Sequence, residues 1–346
     1  MIKYVLFLFV STFLFTVNAQ ITDVVTGLNN PQRLLLDGNT LYFTDANSIQ
    51  KIDITEDPAS PELVIGGLAT PESMELDGTD LYVAEFNAGR ISKIDLSVSP
   101  ATREDFVIGI GTPNFLLLDN DFLYYSDNNA NVVARFDITT SNPTAETVAS
   151  STINFNPTGL AIRGNILYMG QGLANRISFV DVTTSDTTPT DLVAALGRPL
   201  GIRIQNDILY ISEFTGNEIS SINLADPSPT ISTVVTGVSS PRDIALNTTT
   251  LFIVDSGSDK IVKVENILDA QEQDAQTITL FPNPAYSYIS ITGIQERSSY
   301  TIFSIEGKEI SNGILEPQRQ IDISELSAGS YFFKINEKPA IPFLKQ

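Results

Sequence analysis

The sequence predicts an all-β protein in two parts, a six-bladed β-propeller followed by a small C-terminal β-sandwich. The first observation is a set of six framing prolines spaced by 40, 42, 44, 42 and 42 residues: Pro31, Pro71, Pro113, Pro157, Pro199 and Pro241. A leucine stands ten residues after each proline, and an aromatic residue follows each leucine. A period near 40 residues, built from short alternating segments, is typical of propeller blades. The period stops near residue 266, and different short strands follow from Thr277.

Each repeat reads as four strands. An apolar alternation after the proline predicts the inner strand, an Asp-, Asn- and Gly-rich turn follows, and the Leu-aromatic pair marks the second strand. Third strands are expected to begin near Ile49, Ile91, Val133, Ile177, Ile219 and Ile261. The sixth repeat lacks a fourth strand after Val264, whereas residues 23–27 match residues 233–237. We therefore expect the mature N-terminus to supply the outer strand of the last blade and close the ring.

The first nineteen residues read as a secretory signal. Lys3 gives the positive start, residues 4–15 the apolar stretch and Ala19 the cleavage position, so the mature chain is expected to begin at Gln20. An uncleaved N-terminal anchor remains the alternative. Elsewhere the apolar segments are too short to cross a bilayer, which predicts no transmembrane segment once the signal is removed.

Composition narrows the chemistry. The chain contains no Cys, no His and no Trp, which excludes disulfides, Cys/His zinc sites and every mechanism with an imidazole or thiol. With 20 basic and 41 acidic residues the formal net charge is −21, and removing Lys3 with the signal makes it −22. A surface of this charge repels nucleic acid, so no nucleic-acid partner is predicted.

The blade pattern resembles the NHL-repeat and gluconolactonase-like six-bladed propellers. Residues 67–96, GLATPESMELDGTDLYVAEFNAGRISKIDL, carry the resemblance most clearly, and it extends over residues 20 to about 266. Those families include lactonases, lyases and binding scaffolds, so the resemblance implies a fold and leaves the activity open. We assign residues 20–268 to the propeller.

Residues 269–276, DAQEQDAQ, read as a polar linker, and residues 277–346 as the sandwich. The sequence FPNP, the strand–turn–strand IFSIEGKEI and the block IDISELSAGSYFFKI closely resemble the type A C-terminal sorting domain of the type IX secretion system. That resemblance implies the type IX machinery as partner and a Bacteroidota protein that is secreted or displayed on the outer-membrane surface. It also implies removal of the domain, followed by anchoring to lipopolysaccharide or release.

Candidate ligand contacts follow the framing prolines, because loops at that end of each blade surround the mouth of a propeller channel. They differ from blade to blade within a repeated frame, as a specific site requires: Arg33, Glu72, Asn114, Phe115, Arg242 and Asp243. Gluconolactonase-like enzymes hold a divalent cation with Glu, Asn and Asp, so the resemblance points to Glu72, Asn114 and Asp243 as ligands of a Ca²⁺ ion. The alternative is that Glu72 and Asp243 pair with Arg33 and Arg242, whose charges would repel a cation.

Two further sets of residues lie at and just after the ends of the second strands. An acid or amide ends the second strand of every blade, which favours a scaffold role as acceptor of turn N–H groups: Asp45, Glu85, Asp127, Gln171, Glu213 and Asp255. Only blades two and five carry a phenylalanine after that residue, Phe86 and Phe214, on opposite sides of a six-fold ring. With Phe115 they could grip an apolar or sugar-ring ligand, or else pack beneath neighbouring loops.

Three functions follow from these features. The first is an exported binding module whose small-molecule, glycan or protein ligand is unknown. The second is a metal-dependent lactonase, hydrolase or lyase of the gluconolactonase-like class. The third is a structural or adhesion component that uses the Ser-, Thr- and Pro-rich loops of the opposite face, residues 56–61, 97–102 and 184–190.

Overall fold

The computed structural model describes residues 20–151, 155–265, 279–292, 297–305, 307–316, 320–335 and 340–346. The predicted signal segment, residues 1–19, and the predicted linker, residues 269–276, lie outside these ranges. The chain divides into two compact units, Met1–Ile267 and Leu268–Gln346. Across the described ranges, no helix has the length and apolar character needed to cross a membrane.

In the first unit, residues 20–265 form six four-stranded antiparallel sheets. Sheet 1 contains β2 (Leu34–Asp37), β3 (Thr40–Asp45), β4 (Ser48–Asp53) and β5 (Glu62–Ile65). Sheet 2 contains β6 (Pro71–Asp77), β7 (Asp80–Glu85), β8 (Arg90–Asp95) and β9 (Thr102–Ile108). Sheets 3 and 4 contain β10 (Pro113–Asp119), β11 (Phe122–Asp127), β12 (Val132–Asp137), β13 (Glu146–Ser150) and β14 (Pro157–Arg163), β15 (Ile166–Gln171), β16 (Arg176–Asp181), β17 (Thr190–Ala194). Sheets 5 and 6 contain β18 (Pro199–Gln205), β19 (Ile208–Glu213), β20 (Glu218–Asn223), β21 (Ile231–Thr236) and β22 (Pro241–Leu246), β23 (Thr250–Asp255), β24 (Lys260–Glu265), joined by β1 (Ile21–Thr26).

The repeated apolar positions form the core. The leucine of every Leu-aromatic pair is 0 % exposed, from Leu41 in sheet 1 to Leu251 in sheet 6. The apolar residue at the second position of every third strand, from Ile49 to Ile261, is also 0 % exposed. Third strands begin one residue before the predicted positions, because the residue ahead of each of these side chains already pairs with the second strand. Burying both sets in all six sheets removes apolar area from water and is the main stabilising contribution.

The sixth sheet takes its fourth strand from the other end of the chain. Strand β1 pairs antiparallel with β24, with Val25 opposite Ile261 and Thr22 opposite Lys263. The side chain of Val25 is buried among sheet 1 and sheet 6 residues, including Leu34 and Ala245. Lys260 also forms an ion pair with Asp23 at 2.7 Å. The N-terminal segment thereby covers the edge that β24 would otherwise expose.

The second unit consists of two sheets, in the strand orders β25-β26-β29 and β28-β27-β30-β31. Its strands are β25 (Thr279–Phe281), β26 (Tyr288–Thr292), β27 (Ser298–Ser304), β28 (Glu309–Leu315), β29 (Ile321–Asp322), β30 (Gly329–Ile335) and β31 (Ile341–Lys345). The core between them holds Ile289, Ile302 and Phe333, all 0–1 % exposed. Rings stack within the four-stranded sheet, where Tyr331 lies 5.6 Å from Phe343 between centroids.

Candidate functional site

The inner strands present their first residues at one end of the sheets. In sheets 2 to 6 the framing proline begins the inner strand and pairs with the last residue of the second strand, as Pro71 pairs with Glu85 and Pro241 with Asp255. The register shifts just after the proline in these five sheets. Such a β-bulge leaves one residue outside the ladder and re-aims its side chain. Of the predicted ligand contacts, Glu72, Asn114, Arg242 and Asp243 therefore stand on bulges.

Backbone groups at this end are satisfied differently in odd and even sheets. In sheets 1, 3 and 5 a hydroxyl on the second strand accepts from the N–H of the second residue after the framing proline, over 2.8–3.1 Å: Thr44, Ser126 and Ser212. The equivalent residues of the even sheets are Ala84, Gly170 and Val254, which cannot accept. Even sheets instead hydrogen-bond forward to the next odd sheet through inner-strand side chains: Ser73 to Leu116, Thr158 to Pro199 and Asp243 to Leu34.

The acids that end the second strands are scaffold groups. Five of them accept a hydrogen bond from the backbone N–H of the residue 15 or 16 positions earlier: Asp45, Glu85, Asp127, Glu213 and Asp255. Burial raises the pKa of Glu85, but hydrogen bonds from Arg90, Ser92 and Ala69 outweigh it and hold the pKa below its usual range. These bonds tie the entering loop to the second strand in five sheets, as the scaffold prediction requires, whereas Gln171 of sheet 4 accepts from Arg176 Nε and donates to Ser178.

Arginine and phenylalanine side chains form two Arg–Phe–Arg groups here. The guanidinium carbon of Arg198 lies 5.2 Å from the centroid of Phe214, and that of Arg242 lies 5.1 Å from the same ring. Arg33 and Arg203 lie 5.2 Å and 4.9 Å from the centroid of Phe115. Each distance is within the range of a cation–π contact. We call these six side chains, from sheets 1, 3, 5 and 6, the arginine–phenylalanine row.

Carboxylates pair with only part of the row. Arg33 lies 3.9 Å from Glu72 and donates to Asn114 over 3.4 Å, while Arg203 lies 3.3 Å from Asp243. The ion pairs of the described residues include neither Arg198 nor Arg242.

The pKa of Arg242 reports the charges around it. Burial and the neighbouring charge of Arg33 lower this pKa; the opposing effect of Glu72 is smaller, and Arg198 lowers it further. The Arg198–Arg242 end of the row therefore carries positive charge without a matching carboxylate.

A partly buried carboxyl group lies beside the paired end of the row. Burial raises the pKa of Glu75 to about 7, Arg203 opposes this shift, Asp243 adds to it, and a hydrogen bond from the N–H of Leu118 opposes it. A carboxyl group with a pKa near neutrality can accept or donate a proton at physiological pH. Glu75 and Arg203 each stand four residues after a framing proline, three repeats apart.

The proposed calcium ligands do not fit a metal ion in this arrangement. Glu72 and Asn114 both face the guanidinium group of Arg33, and Asp243 Oδ2 accepts from the N–H of Leu34 as well as from Arg203. Of these oxygens, Asp243 Oδ1 is buried without a partner. Calcium needs several convergent oxygens, and a guanidinium group at their centre repels it. Among the described residues, no three His, Cys, Asp or Glu side chains converge as a metal site.

The ion-pair alternative for these residues is right for one pair and wrong for the other. Glu72 does face Arg33. Asp243, however, pairs with Arg203, because the side chain of Arg242 turns onto the ring of Phe214 in the neighbouring sheet. Arg203 stands at a position that is apolar in four of the six repeats, so the repeat pattern gives no signal for a charged side chain there.

The three phenylalanines do not form a common grip. Phe115 is 0 % exposed and packs with Tyr124 and Leu160, so its face is unavailable to a ligand. Phe214 is partly exposed and stacks with two guanidinium groups. Phe86 begins a three-residue 3-10 helix, Phe86–Ala88, and is partly exposed. Ring contacts between Phe86 and Phe214 are absent from the described residues.

Comparison with known proteins separates the two units. Residues 279–341 match the family model of the secretion system C-terminal sorting domain. The domain supports export through type IX secretion to the cell surface or beyond. No curated protein sequence matches the chain.

The first unit resembles solved propeller structures. An auxiliary nutrient binding protein from Bacteroides ovatus aligns with a TM-score of 0.59 at 12 % identity, over 70 % of this chain and 76 % of that one. A putative gluconolactonase aligns at 0.58 and 13 %, over 72 % and 93 %. Virginiamycin B lyase from Staphylococcus aureus aligns at 0.53 and 16 %, over 71 % and 98 %. At these identities the likeness concerns the fold: all-β and propeller-like, as the sequence predicted.

Proposed function

We propose that this chain is an exported six-bladed propeller that acts as a binding module, with its ligand site at the end of the sheets that carries the arginine–phenylalanine row. Six consecutive four-stranded sheets in residues 20–265 support the blade count. The pairing of β1 with β24 supports closure of the ring by the N-terminal strand. Residues 1–19 act as the signal, and residues 277–346 direct the protein through the type IX machinery.

The observation that carries the binding role is the row itself. It joins four sheets at one end of the unit, and it consists of residues that differ between repeats in an otherwise repeated frame. A scaffold role would be met by repeated residues, as it is by the acids that end the second strands. Partly exposed aromatic rings and cationic groups together are common in ligand sites.

Export is tested in a bacterium that carries a type IX secretion system. The full chain is expected at the cell surface or in the medium, whereas a chain ending at residue 276 is expected to accumulate in the periplasm. A host without a functional type IX system serves as control and should retain both. Equal surface levels of both chains in the competent host would contradict the sorting role.

Ligand binding is tested on the chain spanning residues 20–346 with arrays of glycans and small metabolites. A ligand whose binding is lost in Phe214→Ala and kept in Phe303→Ala, a ring of the second unit, would support a site at the row. Retention of every binding signal in Phe214→Ala would place the site elsewhere.

An enzymatic role of the gluconolactonase-like class is the second candidate, and Glu75 favours it. This carboxyl group has a pKa of about 7 and lies close to a guanidinium group that could stabilise a developing negative charge. A screen of lactones and esters should then show turnover that rises with pH through about 7 and disappears in Glu75→Gln. Absence of turnover from the whole screen would remove this candidate.

A further inference from the structure

The first unit pairs almost all of its arginines with acids. Residues 20–265 contain nine arginines, and seven of them form ion pairs: Arg33, Arg90, Arg103, Arg135, Arg163, Arg176 and Arg203. The other two, Arg198 and Arg242, stand on the same ring, that of Phe214. In a chain with 41 acidic and 20 basic residues, two adjacent arginines with no carboxylate at ion-pair distance are unexpected.

Buried donors at this place also lack partners. The Nε atoms of Arg242 and Arg33 are both buried without an acceptor among the described residues. Arg33 as a whole is 2 % exposed. A buried guanidinium donor without an acceptor is destabilising, so folding alone does not account for this arrangement. An anionic acceptor bound at the same place would remove both the unmet donors and the repulsion between like charges.

The geometry suits entry of such an anion from solvent. Arg198 is exposed, whereas Arg242 and Phe214 are partly buried, so the unpaired end of the row is its open end. The ring of Phe214 holds both guanidinium groups by cation–π contacts, which fixes them before a ligand arrives. Guanidinium groups recognise carboxylate, sulfate and phosphate through two parallel N–H···O bonds.

We propose that Arg198 and Arg242, held on Phe214 and backed by Arg33, bind the acidic group of a small organic anion such as a uronic acid. The assignment rests on the proposed binding function and names the class of its ligand. The net negative charge of the chain repels anions from most of its surface. An organic anion is therefore expected to bind only where Arg198 and Arg242 concentrate positive charge.

Differential scanning calorimetry of the chain spanning residues 20–346 tests the assignment. Sodium glucuronate, sulfate and phosphate are titrated at constant ionic strength against sodium chloride, and glucose is the neutral counterpart of glucuronate. We expect glucuronate to raise the unfolding midpoint of the first unit by about 3 °C at ten times its Kd, and glucose to leave it unchanged. The transition of the C-terminal unit serves as an internal reference.

Three variants separate binding from structure. Arg242→Met and Arg198→Met should each weaken glucuronate at least about ten-fold, and the matched control Lys51→Met, which removes a positive charge from an outer ion pair, should not. Without anion, Arg242→Met should unfold at the same or a higher temperature than the parent, because a repelling charge is gone. A clear fall would show instead that Arg242 stabilises the fold.

The outcomes distinguish this inference from the proposed function. Equal shifts with glucose and glucuronate, insensitive to Arg242→Met, would overturn the anion assignment and leave the binding role standing. A shift with sulfate and phosphate but not glucuronate would keep the anion site and replace the carboxylate with an inorganic or sulfated group. If no anion exceeds chloride and Arg242→Met is destabilising, the row is structural and both proposals fail.

Discussion

Two charged residues that each occur once give the inner strands of the first unit their ionisable groups at the fourth position after the framing proline. Glu75 and Arg203 occupy a position that the other four repeats fill with Leu or Ala, so each interrupts an otherwise apolar inner strand. The partly buried carboxyl group of Glu75, next to one arginine and one aspartate, is balanced between its charged and neutral forms near pH 7. Glu75 is therefore expected to make the stability of the first unit depend on pH.

Glu75→Gln should remove a pH-dependent part of the stability. The pKa of Glu75 is raised from 4.5 to about 7, so its contribution is fully present below pH 4.5 and is lost as the pH rises to about 7. The loss is at most about 3 kcal/mol. Urea unfolding of parent and variant should give equal free energies near pH 4 and a more stable variant at pH 8.

The exposed Glu62→Gln is the control, and its difference from the parent should stay flat across the same range. A Glu75→Gln protein that is less stable than the parent at pH 8 would mean that Arg203 stabilises the charged carboxylate more than burial destabilises it, so that its pKa is not raised.

Five of the six inner strands, those of sheets 2 to 6, combine a regular ladder with a bulge just after the framing proline. The bulge of β18 brings Gly201 against sheet 6, where an added Cβ would lie 2.8 Å from the Cα atom of Asp243 and would also overlap its carboxylate. Glycine is required there by the close approach of two strands and not by its own backbone conformation.

Gly201→Ala should lower the free energy of unfolding by about 2–3 kcal/mol, because two inner strands must separate to admit one methyl group. Gly66→Ala is the matched control: an added Cβ at this position meets no atom within 4 Å. Chemical unfolding of both variants checks this, and equal stabilities would mean that sheets 5 and 6 separate at little cost.

The sequence predicted the elements better than the contacts between them. Strand order, the period and the third-strand positions follow from apolar residues whose burial is repeated six times, and repetition makes a local signal unambiguous. The site depends on residues that occur once. Arg198 precedes a framing proline and Arg203 follows one. No local sequence pattern predicts that Arg198 contacts Phe214 or that Arg203 contacts Phe115. The direction of a side chain at a bulge depends on the tertiary structure.

At the scale of the whole molecule, the first and last strands of the propeller lie side by side although 233 residues separate Thr26 from Lys260. Contacts between distant parts of the chain form late, because the loop that joins them must first be ordered. The stability of the entire first unit therefore depends on a short segment that follows the predicted signal.

Val25→Asp should destabilise the first unit by about 3 kcal/mol or more, because it places an unpaired charge where Val25 is 6 % exposed. Thr22→Asp, on an exposed position of the same strand, is the control and should stay within about 0.5 kcal/mol of the parent. Guanidinium chloride unfolding measures both. Similar values for the two variants would indicate that β1 is not part of the cooperative unit.

Because hydroxyl acceptors alternate along the chain, odd-numbered and even-numbered sheets are of two different kinds. Thr44, Ser126 and Ser212 serve the odd sheets, and the even sheets reach forward to the next odd one, so the smallest interchangeable piece is a pair of sheets. Removing a single sheet would set two sheets of the same kind side by side, and removing sheet 2 or sheet 6 would leave the buried N–H group of Leu116 or of Leu34 without its acceptor. A descendant of this chain with more or fewer blades would thus be expected to differ by two.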